Sequence, residues 1–275
     1  MAINPLQQYF RQPKIFVNLP SHGAYYQPGL IQGDINNLPV HGMTGMDEII
    51  IKTPDALFSG EASVKVIESC CPSIKDAWSL NELDTNMLFT AIRIATYGNT
   101  ISVTHTCSKC NTPNDYELDL SVIIEHFASR HYESKIVFQD LTVNIKPLTY
   151  KQLTDHNLKI YELQKRVQQA NAIENEDEKS SAINKLWEEL AAVQLEMNAN
   201  HVESVETPTV TVTEREFIVE WLKNCEKDTV DRIKEQVEYN RKQWSVPDFK
   251  VECNEPDCKN PGSVLLELDN SNFFV

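Results

Sequence analysis

The sequence predicts an α+β protein: a mixed amino-terminal unit, a ribbon split between two distant cysteine pairs, and an α-helical hairpin inserted between the halves of that ribbon. Three observations lead there. Cys107 and Cys110 form a CxxC in VTHTCSKCNTPNDYELDL, and Cys253 and Cys258 form a CxxxxC in FKVECNEPDCKNPGSVLLELD, each in a frame of strand, tight loop and strand. Between the pairs, Leu153, Ile160 and Val167 recur every seven residues, and Ile183, Leu190 and Met197 repeat the pattern after a charged break. That is the spacing of two helices packed along a seam. Before the first pair, apolar residues fall at helical intervals in short segments bounded by Gly, Pro and Asn, the texture of a mixed unit.

Taken in order, residues 1–43 read as an extended arm. Lys14 to Leu19 alternates weakly and stops at Pro20, and SHGAYYQPGLIQGDINNLPVHGM is too rich in Gly, Pro and Asn to build its own core. Phe16, Tyr25, Tyr26 and Leu30 suit a segment that drapes onto a neighbouring protein; folding back over the chain's own helices is the alternative.

Residues 44–147 read as a mixed α/β unit. Thr44 with Asp47 makes a capping-box pattern. Helical spacing follows at Ala62, Val66, Ile67 and Cys70, and again at Leu88, Ile92 and Ala95 behind an Asp84 cap and before a Gly98 stop. Arg93 and Tyr97 read as long polar side chains at the edge of that buried helix. After the first cysteine pair, Ser121 to Phe127 reads as a short helix or connector. A hairpin then sets Ile136 and Phe138 against Leu141, Val143 and Ile145 across Gln139-Asp140.

Residues 148–245 read as the helical insertion. Thr149 with Gln152 opens the first of two antiparallel helices, about 149–172 and 180–200, with His156, Leu163, Ala170, Leu186 and Val193 at the intermediate seam positions. Glu174, Glu176, Asp177 and Glu178 read as a solvated loop tip. VESVETPTVTVTEREF reads as an exposed extended connector. Thr213 with Glu216, and then Asp228, are the expected caps of two further helices, the first with a stripe of Phe217, Trp221, Leu222 and Cys225. Residues 246–275 read as the second cysteine knuckle and a carboxy-terminal strand completing the ribbon.

Two thiolate pairs on tight turns can complete a tetrahedral four-sulfur shell, so Cys107, Cys110, Cys253 and Cys258 are the expected ligands of one structural Zn2+. A lone CxxC can also be a redox motif, but that chemistry needs a helix directly after it, and NTPNDYELDL reads as turn and strand. Two disulfides are a further alternative, disfavoured by an odd total of seven cysteines and an amino terminus without an apolar signal segment. His105 is the one substitute ligand in range of the first pair.

With 275 residues and a hydrophobic share of 41%, the chain can bury a sizeable core. No apolar run approaches the roughly 20 residues that span a bilayer, so no membrane partner is expected. A formal net charge of −15 argues against a nucleic-acid partner, because phosphate binding rests on Lys and Arg. The chain lacks GxxxxGK[ST], GxGxxG, HExxH and GxSxG, and a four-thiolate shell leaves no position for a reacting water, so no enzymatic activity is expected.

LPSHGAYYQPG, LPVHGMTGMDEIIIKTPDALFSGEASVKVIESCCPSIKD, AIRIATYGNTISVTHTCSKC, IKPLTYKQLT and the terminal LDNSNFFV occur in an order that resembles the T-even-like baseplate proteins of contractile-tailed phages, a family that includes hub assembly proteins. The second pair departs from that pattern, CxxxxC standing where CxxC is more usual. The resemblance implies a virion protein of the tail baseplate, made in the host cytoplasm, whose partners are other baseplate and hub proteins. Three readings follow: a structural subunit retained in the virion, an assembly chaperone that leaves it, and, from another class, a zinc-ribbon nucleic-acid-binding protein.

Overall fold

The computed structural model describes residues 4–53, 59–138, 140–266, 268 and 273–274, and its architecture is α+β, 49% helix and 19% strand. The chain forms two units, Met1–His131 with Trp244–Val275, and Tyr132–Gln243. The boundaries expected from the sequence are at 43, 147 and 245.

In the first unit, β1 (Pro13–Val17) pairs antiparallel with β2 (Leu38–His41), Ile15 opposite Val40 and Val17 opposite Leu38. Strand alternation sends Val17, Leu38 and Val40 into the core, and Leu19 joins them just beyond. Thr44 and Asp47 form a complete capping box at α1 (Gly45–Ile51). The Arg11 guanidinium lies 3.1 Å from the Asp47 carboxylate and donates to the carbonyl oxygens of Gly42 and Ser69. Only glycine fits at 42, since a Cβ there would sit 2.8 Å from the Ala95 carbonyl oxygen.

The core is built on α2 (Glu61–Cys70) and α3 (Glu82–Tyr97), which bury Val66, Ile67, Leu88 and Ile92. Each such side chain contributes roughly 1.5–3 kcal/mol. Gly98 ends α3 with a φ of 95°, where glycine is favoured, and the segment read as a short helix or connector forms α4 (Ser121–Ala128), which buries Ile123 and Phe127. Arg93 and Tyr97 anchor the tail: Arg93 Nε donates to the Phe273 carbonyl oxygen at 2.9 Å, and the Tyr97 hydroxyl donates to that of Phe274 at 3.2 Å. Both phenylalanines are buried.

Two expectations are corrected here. Asn81, not Asp84, caps α3, its side chain accepting the Asp84 N–H. The Asp84 carboxylate is buried and accepts the Ser21 N–H at 2.9 Å and the hydroxyls of Ser21 and Tyr26. Residues 13–43 fold back over the chain's own helices, because Leu19, Leu38 and Val40 supply apolar area and Asp84 needs their polar neighbours as donors. Phe16 alone of the four residues singled out on the arm is among the exposed large hydrophobics.

The second unit holds a four-stranded antiparallel sheet in the order β5 (Lys135–Val137), β6 (Thr142–Ile145), β7 (Val202–Glu206), β8 (Thr211–Val212). The stretch read as an exposed connector therefore supplies two strands. Val205 pairs with Val143 and is buried with Val202, so the Val and Thr content marks pleated sheet rather than linker. Gln139, expected with Asp140 between the two strands of that hairpin, lies outside the described residues.

Helices α5 (Tyr150–Asn171) and α6 (Glu176–His201) run antiparallel, bridged by Lys159 to Glu196 at 3.0 Å and by a bidentate Arg166–Glu189 pair. Thr149 and Gln152 complete the capping box. Leu163, Ala170 and Leu186 are the buried seam, flanked by half-buried Val167, Ile183, Leu190 and Val193. Asn175 caps α6 by accepting the Asp177 and Glu178 N–H groups, so Glu176, Asp177 and Glu178 form the first helical turn, and of the acidic run Glu174 alone lies in the loop. Acidic residues suit the positive end of a helix dipole.

Helix α7 (Arg215–Asn224) buries Ile218 and Leu222 and leaves Phe217 exposed, one residue out of phase with the expected stripe. Its N-cap is Glu214, whose carboxylate accepts the Thr213 N–H, so Thr213 is not the cap. Helix α8 (Lys227–Gln243) begins one residue before Asp228, which sits in the first turn. Asn240 locks α8 to the entry of β5, accepting the Glu133 N–H at 3.1 Å and donating to the Glu133 carbonyl oxygen at 2.8 Å. His201 is buried with Nδ1 donating to the Lys146 carbonyl oxygen, and burial holds it down to about 4, hence neutral. No helix among the described residues is long and apolar enough to cross a membrane.

Candidate metal centre

Two antiparallel hairpins of the first unit carry the thiols. β3 (Thr100–Thr106) pairs with β4 (Pro113–Asp119), His105 opposite Asn114, and β9 (Phe249–Glu252) pairs with β10 (Pro261–Val264), Glu252 opposite Pro261. The cysteines occupy the turns. In the first, the Cys107 N–H donates to the Thr112 carbonyl oxygen and the Asn111 N–H to that of Cys107. In the second, the Cys253 N–H donates to the Asn260 carbonyl oxygen and the Cys258 N–H to that of Glu255. Asn111 (φ 56°) and Lys259 (φ 44°) turn left-handed immediately after the second cysteine of each pair.

The hairpins bring all four thiols together, every sulfur within 4.8 Å of the others. Cys107 Sγ lies 3.9 Å from Cys258 Sγ, and Cys110 Sγ 3.6 Å from Cys253 Sγ. Cys107 and Cys253 are buried, Cys258 is half-buried and Cys110 is exposed. The quartet could hold a metal ion. His105 stands outside it in β3, as do Cys70, Cys71 and Cys225.

Ionisation is uneven across the quartet. Backbone N–H groups of Cys110 and Lys109 hold the Cys107 thiol down to about 6, the latter at 3.4 Å from the sulfur. Hydrogen bonds from Thr112 lower Cys110 as well. Loss of hydration pushes Cys258 up to about 11. Four thiolates this close repel one another strongly, so full ionisation needs a cation among them.

A second set of contacts joins the hairpins without the thiols. The buried Asn114 side chain accepts the Asn254 N–H at 2.7 Å, while its amide donates to the Thr112 carbonyl oxygen at 2.8 Å. The Tyr116 hydroxyl donates to the Glu252 carbonyl oxygen at 3.0 Å. The sequence reading missed Asn114. Its signal is a polar residue at an inward strand position, in phase with the buried Leu118 of β4.

A family model described as T4 bacteriophage base plate protein matches residues 43–275. No curated protein and no solved structure matches the chain.

Proposed function

Because the chain belongs to the T4 bacteriophage base plate protein family, we propose that it is a structural subunit of the baseplate hub that works through protein–protein contacts and carries one structural zinc. The match over residues 43–275 supports the baseplate role, and with it a position in the phage tail among other baseplate proteins. The observation that carries the metal reading is the convergence of two hairpins on one point. A tetrahedron of Zn–S bonds of about 2.3 Å has edges of about 3.8 Å, and the two sulfur separations of 3.6 and 3.9 Å straddle that edge.

Cys107, Cys110, Cys253 and Cys258 would hold the ion, which supplies the positive charge that lets all four thiols ionise together. With four sulfur donors the centre is closed to substrate, so its work is to bind distant chain segments and its partners are met by surfaces. Metal analysis of purified protein tests the centre, one zinc per chain being the expected result. Mass spectrometry of purified virions tests the subunit: its presence at fixed stoichiometry is expected, and its absence makes the protein an assembly chaperone instead.

A further inference from the structure

The α5–α6 hairpin has two unlike faces. One is laced by the Lys159–Glu196 and Arg166–Glu189 pairs. The other opens into a groove of about 370 Å3 with Leu163, Val167, Leu186 and Leu190 along it, Gln164 and Gln168 on its rim, and no charged side chain in its lining. Trp187 also lines the groove and is 61% exposed. A tryptophan left in water beside an apolar groove is a strong candidate anchor for a partner, because its large flat area is worth most once water is excluded.

We propose that a second copy of this chain occupies the groove, the two hairpins forming a four-helix dimer in which α5 of one copy lies antiparallel across α6 of the other. Three features favour a second copy. A two-fold interface needs a protrusion and its receptacle on one patch, and Trp187 stands beside the groove that its symmetry mate would fill. Copies that each carry a net charge of −15 repel, so their contact needs a face free of charge, which this one is.

The third feature fixes the arrangement. Apart from the two ion pairs of the other face, helix α5 carries two basic and two acidic residues, whereas α6 carries two basic and four acidic. A two-fold axis along the hairpin sets the balanced α5 over the partner's acidic α6; an axis across it sets acidic α6 over acidic α6. Because Arg166 lies level with Glu189, the first arrangement brings Trp187 of each copy onto the Gln164–Gln168 rim of its mate. This assembly does not depend on zinc at the thiols.

Sedimentation equilibrium of the full chain across micromolar concentrations tests it. A dimer is expected, with Trp187→Glu raising the dissociation constant by ~30-fold or more and Trp187→Phe by under ~10-fold. Gln168, exposed on the rim, reads the arrangement without touching the seam. Gln168→Lys should tighten the dimer against the acidic helix opposite, and Gln168→Glu should loosen it. A monomer at every concentration, or a dimer indifferent to Trp187→Glu, overturns the proposal; the reverse order of the two Gln168 variants overturns the placement of α5 over α6.

Discussion

The first cysteine hairpin holds two residues between its thiols and the second holds four, and both close by the same bonds. In each, the first cysteine's N–H donates to the carbonyl two residues beyond the second cysteine, Thr112 in one and Asn260 in the other. In each, the residue after the second cysteine is left-handed. The extra residues of CxxxxC are absorbed within the turn, where the Glu255 carbonyl accepts from both Cys258 and Lys259. Thiol placement is therefore governed by the frame around the pair more than by the count inside it. The hairpins differ in chemistry. The first has Asn, which tolerates left-handed backbone, and thiols that ionise readily; the second has Lys there and a Cys258 thiol pushed up to about 11.

Breaking either hairpin should break both. Cys110→Ser and Cys253→Ser are each expected to bring zinc content near zero and to cost the first unit ~3–5 kcal/mol, about 10 °C in midpoint, while the helical signal of α5 and α6 persists. Full zinc occupancy in Cys253→Ser would sink the shared centre. A smaller effect sharpens the contrast in ionisation. After chelation at neutral pH, alkylation followed by peptide mass spectrometry should label the exposed Cys110 at least ~10-fold faster than Cys258, as thiolate fraction dictates. Faster labelling of the second pair would invert the comparison.

Asn114→Ala removes the acceptor for the Asn254 N–H and should cost ~1–3 kcal/mol in chemical denaturation while leaving one zinc bound. The smallest effect concerns the left-handed residues. Lys259→Gly should stabilise by up to about 1 kcal/mol, and Asn111→Gly should change little, since asparagine already accepts that backbone. Equal gains at both positions would mean that the two turns carry equal strain.

Local chemistry was legible in the sequence wherever a few adjacent residues decide the outcome. The capping boxes at Thr44 and Thr149 and the Gly98 stop are of that kind, and so is the turn frame of each cysteine pair. Pairings across long separations were not. Val202–Glu206 reads as linker because its strand partner, β6, lies about sixty residues earlier, and a proline two residues past Glu206 mimics a connector. The arm reads as coreless because Leu19, Leu38 and Val40 are scattered among glycines and prolines and meet only after the β1–β2 pairing. Asp84 reads as a cap because Asp at a helix start usually is one. Nothing nearby in sequence announces that Ser21 and Tyr26 will claim it. The convergence of the four thiols was legible as two matching frames, whereas Asn114 showed only as one polar residue in an apolar phase.

Cys110 and Cys253 are separated by 143 residues, which puts a clock on the centre. At ribosomal speeds of roughly 5–20 residues per second, the first hairpin waits on the order of ten seconds for the second to emerge. All of residues 132–243 is synthesised inside that interval. The helical unit can thus finish forming while the first cysteine pair still waits for the second, and the first unit closes only once the second cysteine hairpin has emerged.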